Sequence, residues 1–291
     1  MLVGCSFLPI QSDTDFYGLI IGINYDTNPS INNLFFCEAD ATSIQSSLLD
    51  EKIGNWKTEE LNVLLGEEAT KDAILNGLSG LRDIINKADE KDLILVYFSG
   101  HGASIPDVDG DEADGYDEVL VPVDAQTDMF ENIIASTIIS DDDLGNMFSS
   151  CKTEKGIFII DACHSGGVIN KSLAGTNIRV KSIDSINQKS SGGSGDLTIT
   201  NFPVMTACSQ NEVSYEDPTL WQGHGVFSYF LLEGFQNLKA DRNKDNFITV
   251  KELFNYAENH TETYTSMHPF MNTQHPAMRF PMDFIDILIT R

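Results

Sequence analysis

The chain has 291 residues, 41% of them hydrophobic and 21% charged, which is ordinary for a globular protein and ample for one large domain or two small ones. Its 18 basic and 44 acidic residues leave a net charge of −26. That balance argues against nucleic acid or an anionic membrane surface as partner and favours cationic substrates or metal ions, although solvated acidic surface accounts for most of the excess.

Residues 1–15 read as a tether. Within it, Leu2-Val3-Gly4-Cys5-Ser6 resembles the lipobox of bacterial lipoproteins, without the charged and apolar regions that should precede that motif. Two readings stay open: a chance match in a protein of the bacterial cytoplasm, or a membrane tether through a lipidated Cys5. Tyr17 to Asn24 is a first buried strand, and Asn28-Pro29 marks the loop after it. Residues 34–50 read as a helix with Phe36, Asp40, Ile44 and Leu48 on one stripe. Asp40 is out of place there, because a buried carboxylate without a partner is costly. It either bonds a structural neighbour or faces a pocket. Leu61 to Leu65 is a second strand, and Thr70 caps a helix over about 71–88 whose inner face carries Ile74, Leu78, Leu81 and Ile85.

The wholly apolar run Leu93 to Phe98 is a strand buried on both faces, ending in Ser99-Gly100-His101-Gly102. An acidic loop (107–118) and a short strand at Val119 to Pro122 follow, and Ser140-Asp141-Asp142-Asp143 starts a helix with its acids set against the macrodipole. Gly156 to Ile160 is a second doubly buried strand, ending in Asp161-Ala162-Cys163-His164-Ser165-Gly166-Gly167. Residues 171–196 hold Lys171, Arg179, Lys181, Lys189 and a Ser-Gly run, and read as a flexible, accessible surface linker. A fifth strand is expected at Phe202 to Cys208, helices around 224–238 and 249–260, and a last strand at Phe284 to Ile289. Strands alternating with helices point to an α/β fold, a mostly parallel six-stranded sheet covered on both faces. No boundary divides residues 16–290 into independent domains. The five cysteines are too irregularly spaced for a disulfide framework or a zinc site, and Cys37, Cys151 and Cys208 read as small core residues.

In an open α/β sheet the carboxyl ends of the strands gather ligands and catalytic groups. Two such ends here carry His101 and Cys163, the pair suited to nucleophilic attack on an acyl carbon. Cys163 would be the nucleophile and His101 its base and later its acid. His164 is the rival base, but adjacent side chains on extended backbone point apart. The plain alternatives are a buried inert thiol and a turn histidine. Asp161, two residues before Cys163, faces the same side as the thiol. With Asp40 and Ser99 it could line a negatively charged pocket for Arg or Lys; it could instead cap the next turn.

SGHG at 99–102 and DACHSG at 161–166 resemble the His and Cys motifs of the caspase-like cysteine peptidases (peptidase family C14), most closely the metacaspase-like members of bacteria. The resemblance covers about residues 16–290 and implies a caspase-like fold: a large-subunit-like part (16–170), a joint (171–196) that is often cleaved in the family, and a small-subunit-like part (197–290). It implies an oxyanion hole from the amides of Gly102 and Cys163, and an S1 pocket of Asp40, Ser99 and Asp161 that takes Arg or Lys at P1. Partners would be protein or peptide substrates with a basic P1 residue, and the chemistry needs no cofactor. Animal caspases dimerise through the last strand, but oligomeric state stays open here.

Calcium is a further expectation. Residues 241–252 fit an EF-hand loop, with Asp241, Asn243, Asp245 and Thr249 supplying side-chain oxygens, Phe247 a backbone carbonyl and Glu252 the closing carboxylate, but with Asn246 where Gly is usual. Resemblance to calcium-dependent metacaspases implies a second site at Asp117, Asp141 and Asp142, whose fourth position is Asn170 rather than Asp. Asp141 and Asp142 serve equally well as helix-capping acids. Two readings from other classes remain: a peptidase-like scaffold that binds without cleaving, and a calcium-responsive module.

Overall fold

The apolar runs of the sequence become the middle of one sheet. The structure, a computed structural model, describes residues 15–87, 92–106, 116–130, 132–148, 156–163, 179–181, 202–209, 212–279 and 287–290. In chain order, β1 (Phe16–Gly22), α1 (Cys37–Leu49), β2 (Leu61–Leu65), α2 (Lys71–Ile85) and β3 (Leu93–Ser99) come first. They are followed by β4 (Gly102–Pro106), β5 (Tyr116–Leu120), β6 (Ile139–Ser140), α3 (Asp141–Phe148) and β7 (Gly156–Asp161). The remainder comprises β8 (Arg179–Val180), β9 (Val204–Thr206), β10 (Tyr215–Asp217), β11 (His224–Gly225), α4 (Val226–Phe235), α5 (Val250–Met267) and β12 (Ala277–Arg279).

The main sheet has six strands in the order β12-β9-β7-β3-β1-β2, parallel throughout except for β12, which runs antiparallel to β9. Every residue of β3 and β7 is buried, as strands covered on both faces require. Successive side chains alternate between two cores. On one face Leu19, Val96, Phe98, Phe158 and Ile160 pack with Ile74, Leu78 and Leu81 of α2 and Phe148 of α3. On the other, Ile20, Leu95, Tyr97 and Ile159 pack with Ile44 and Leu48 of α1, Phe227 and Leu231 of α4, and Leu253 of α5. Each fully buried Leu, Ile or Phe contributes roughly 1.5–3 kcal/mol to that packing. Two small antiparallel sheets, β4-β5-β6 and β11-β10-β8, flank the carboxyl ends of the large one.

Three expectations need correction. Among the described residues the edge strand is Ala277–Arg279; of the run expected at 284–289, residues 287–289 are described and form no strand, Leu288 joining Thr249 through an isolated bridge while Ile287 and Ile289 are buried. The last helix runs on to Met267, five turns rather than three. Within the 171–196 stretch, Arg179–Lys181 is not free surface: Arg179 and Val180 form a strand and Lys181 is fully buried. Cys37 and Cys208 are buried as the sequence suggests. Cys5, Cys151, His164, Asn170, residues 107–115 of the acidic loop and the rest of the linker lie outside the described residues.

Register fixes the geometry that matters. Gly22 pairs with Ser99, and Ser99 pairs with Asp161, so three strand ends stand side by side. Gly22 is required there because a Cβ would strike the Cys37 carbonyl, so its absence lets α1 approach the end of β1.

Candidate active site

Helix α1 has no side-chain cap of its own at Phe36. Its exposed amides are satisfied from afar: Asn24 Oδ1 accepts from Cys37 N at 3.0 Å, and the buried Glu216 carboxylate accepts from Phe35 N and Phe36 N at 3.0 and 2.8 Å. A carboxylate at the positive end of a helix is favourable, although burial raises the pKa of Glu216. This anchoring sets Asp40, on the first turn, beside the ends of β3 and β7.

Asp40, Ser99 and Asp161, all completely buried, converge on the ammonium group of Lys181. Lys181 Nζ lies 2.9 Å from Asp161 Oδ2, 3.3 Å from Asp40 Oδ2 and 2.8 Å from Ser99 Oγ. Each carboxylate has further donors. Asp40 accepts from His224 Nδ1 at 2.7 Å, from Ser99 Oγ at 3.1 Å and from Gly225 N at 3.1 Å. Asp161 accepts from Ser214 Oγ at 2.7 Å and from the amide and hydroxyl of Ser228. Among the described residues, the partners of Asp161 are Lys181, Ser214 and Ser228, all remote in sequence; the turn after Cys163 that it could cap lies outside the described residues. Burial opposes the charged form of Lys181, yet Asp161, Asp40 and Glu216 outweigh it and hold its pKa well above the ordinary lysine value. Gly225 completes the pocket: a Cβ at that position would collide with Asp161 and with Lys181 Nζ.

The backbone of Lys181 is held as firmly as its side chain. Its carbonyl oxygen accepts from Cys163 N at 3.1 Å and Gly102 N at 3.4 Å, and its amide donates to Ser214 O at 3.1 Å. Upstream, Arg179 and Val180 pair antiparallel with Glu216 and Tyr215. The two motifs of the sequence therefore meet around one carbonyl group.

His101 is buried beside it. Tyr25, whose hydroxyl donates to Val121 O at 2.6 Å, accepts from His101 N at 2.9 Å and sets its ring 4.8 Å from the imidazole. His101 Nε2 bonds the Asn32 carbonyl at 2.7 Å, which assigns the proton to Nε2 and leaves the lone pair on Nδ1. Nδ1 makes no hydrogen bond among the described residues. Burial lowers the His101 pKa to about 4, with the backbones of Asn32 and Lys181 opposing the shift, so the ring is neutral at physiological pH. Cys163 is fully buried, and its Sγ accepts from Ser214 N at 2.6 Å.

The expected calcium ligands are arranged differently. Residues 241–252 form a turn closed on its own backbone: Asp241 accepts from the amides of Lys244, Asp245 and Asn246, and Asp245 accepts from Phe247 N. Asn246 takes the left-handed conformation (φ 71°) in place of Gly. Asn243 Oδ1 bonds Asp245 N, and Glu252 forms a capping box with Thr249 while also accepting from the amides of Arg242 and Asn243. Asp117 on β5 and Asp141 at the start of α3 are buried, with Asp142 beside them. Among the described residues, no group of three or more His, Cys, Asp or Glu side chains is arranged to hold a metal ion. The 241–252 carboxylates are taken up by their own turn, whereas Asp117, Asp141 and Asp142 are the described part of the second expected set, whose Asn170 lies outside the described residues.

Sequence reasoning brought together His101, Gly102, Cys163, Asp40, Ser99 and Asp161. It did not find Lys181, Asn32, Tyr25, Ser214, Glu216, His224, Gly225 or Ser228. The available signal was a second polar run after an apolar strand (Ser209 to Asp217) and a His-Gly opening an apolar helix at 224–225.

These features are those of the caspase fold. The chain belongs to the caspase domain family, a family of cysteine peptidases, which it matches over residues 17–282. It is similar to Metacaspase-1B of Aspergillus niger, 35% identical over 156 residues that make up 52% of this chain and 33% of that protein. It is also similar to Metacaspase-1B of Aspergillus terreus, 32% identical over 196 residues, 62% of this chain and 48% of that protein. Metacaspase-1 of Schizosaccharomyces pombe is 33% identical over 160 residues, covering 52% and 34%. The matched stretch is thus between a third and a half of these relatives' length. A crystal structure of a Geobacter sulfurreducens protein superposes with a TM-score of 0.60 at 17% identity, over 95% of this chain and 98% of that one, which is a likeness of fold alone.

Proposed function

We propose that the protein is a cysteine endopeptidase that cleaves peptide bonds after Lys or Arg and processes itself in the 171–196 segment. One observation carries the reading: a lysine whose ammonium group sits between Asp40, Asp161 and Ser99 while its carbonyl oxygen rests on the amides of Cys163 and Gly102. A buried cation held by two carboxylates and a hydroxyl is what an S1 pocket for basic residues requires. Two backbone amides aimed at a carbonyl oxygen supply the oxyanion stabilisation that acyl transfer needs. Cys163 then attacks that carbonyl carbon, His101 Nδ1 takes the thiol proton, and Asn32 holds the ring by Nε2 so that Nδ1 faces the reaction.

Calcium assistance belongs to the proposal in a narrower form. Asp117, on the central strand of the β4-β5-β6 sheet, and Asp141, at the start of α3, are buried carboxylates, and the pairing of β5 with β6 brings the start of α3 alongside β5. A cation there would tighten the loops next to His101 rather than take part in the reaction.

The test is hydrolysis of matched fluorogenic peptides ending in Arg, Lys, Asp or Asn, with calcium and with chelator, beside Cys163→Ala. Cleavage after Arg and Lys that vanishes in the variant is the expected result, and a loss with chelator supports calcium assistance. Cleavage only after Asp or Asn would overturn the pocket assignment. No cleavage by folded protein would make it a binding scaffold.

A further inference from the structure

We propose that the acidic pocket reads the shape of a cation as well as its charge, taking Lys in preference to Arg at P1, and that His224 sets this preference. The inference rests on the peptidase reading above and narrows its substrate class.

Each carboxylate of the pocket turns one oxygen toward the cation and commits the other elsewhere. Asp40 Oδ2 lies 3.3 Å from Lys181 Nζ, whereas Oδ1 accepts from His224 Nδ1 at 2.7 Å and from Gly225 N at 3.1 Å. Asp161 Oδ2 lies 2.9 Å from Nζ, whereas Oδ1 accepts from Ser214 Oγ at 2.7 Å. Ser99 Oγ donates to Asp40 Oδ2 at 3.1 Å and accepts from Nζ at 2.8 Å. An ammonium group has three N–H donors, and here each meets an acceptor. A guanidinium group carries five donors in a flat fork and gains most from a carboxylate that offers both oxygens side by side. Neither Asp40 nor Asp161 offers that. Asp40, Ser99 and Asp161 are completely buried, so a donor left over in the pocket has no water to turn to and costs affinity.

His224 is the part of this arrangement that a substitution can undo. Its buried ring stacks on Trp221, with centroids 6.2 Å apart, and lies tilted against Tyr229 at 6.1 Å. The turn that leads to it is set by the backbone: Trp221, Gln222 and Gly223 take positive φ values of 26°, 69° and 94°. A Cβ on Gly223 would strike the ring of Phe36, so the glycine lets this turn lie against the residue that opens α1. The packing delivers His224 and Gly225 to β11 with the imidazole on Asp40 Oδ1. Gly225 closes the end of the pocket, since a Cβ there would meet Nζ and both carboxylates. An arginine, longer and planar at its head, meets that backbone before its fork can reach two oxygens of one carboxylate. Removing the imidazole frees Asp40 Oδ1 and opens the space beside it, where a fork can engage both oxygens of Asp40. An asparagine in its place keeps a side-chain N–H donor for Oδ1.

The experiment measures kcat/KM for two fluorogenic peptides identical except for Lys or Arg at P1, on the purified full chain and on His224→Asn and His224→Ala. The ratio of the two values on one preparation cancels the fraction of folded enzyme, and the wild-type ratio needs no substitution at all. The wild type should favour Lys by roughly tenfold or more, the worth of one charge-assisted hydrogen bond. His224→Ala should lower that ratio at least about fivefold, with the Arg peptide gaining relative to Lys mainly through KM, and His224→Asn should stay within about twofold of wild type. A wild-type ratio near or below one, an unchanged ratio in His224→Ala, or a fall in His224→Asn as large as that in His224→Ala would overturn the proposal. If Arg peptides are cleaved as well as Lys peptides, this proposal fails and the peptidase reading survives. If neither is cleaved by folded protein, both fail.

Discussion

Two groups of acids in this molecule, one gathered from distant parts of the chain and one within a single loop, behave oppositely in the fold. The pocket at Asp40 and Asp161 is completely buried, and its carboxylates face a buried ammonium group. The 241–252 loop is mostly exposed, and its carboxylates fold back on the amides of their own turn. Counting acids does not separate the two. What separates them is desolvation: a carboxylate removed from water needs a cation or several donors, whereas an exposed one is satisfied locally. The pocket is therefore a place where buried carboxylates are matched by a cation, and the loop is first of all a helix start.

The largest effect that would break this comparison is at Asp161. Asp161→Asn removes one carboxylate from a buried pair, an interaction of about 3 kcal/mol or more, so kcat/KM for Lys and Arg peptides should fall roughly a hundredfold or more. A fall of less than about fivefold would mean that the pocket does not read charge. Gly225→Ala comes next. Its methyl group intrudes on Asp161 and on the position of the lysine Nζ, and a displacement of this kind typically costs roughly tenfold to a hundredfold. The loss should be measurable as a KM increase that is steeper for Lys than for shorter P1 residues.

Protonation sharpens the contrast further. His101 has a pKa of about 4 because it is buried, so the base stays neutral and competent above that pH. Peptide hydrolysis, read as kcat/KM, should therefore hold down to about pH 4, and an acid limb near the ordinary histidine value of about 6.5 would contradict the burial argument. The smallest effect is at the loop. Glu252→Ala removes a capping box, at about 1 kcal/mol, lowering Tm by a few degrees and leaving P1 preference unchanged. A changed P1 preference would contradict the division of roles between loop and pocket.

Much of the site could be read from residues close in sequence. The strands ending in His101 and Cys163 are continuous apolar runs, Asp161 follows from alternation on β7, and Asp40 was conspicuous as an acid on an apolar helix stripe. The missing part depends on distance along the chain. Ser214, Ser228 and His224 meet Asp161 and Asp40 across 53, 67 and 184 residues, and no local pattern encodes such pairings. Lys181 misled for the same reason: its neighbours are those of a solvated linker, and only carboxylates from two remote elements outweigh the cost of burying it. The sheet edge was misassigned because Ile287 and Ile289 look like strand residues, yet they fill a core beside Trp56, whose Nε1 donates to Ile289 O at 3.2 Å.

The most direct test of the central claim compares two peptides that differ only in the charge of P1, one ending in Lys and the other in norleucine, on the processed protein. The buried carboxylate pair predicts a kcat/KM ratio of roughly a hundred or more in favour of Lys, collapsing toward unity in Asp161→Asn. A ratio near one in the wild type would contradict the account, because the pocket would then be selecting length rather than charge.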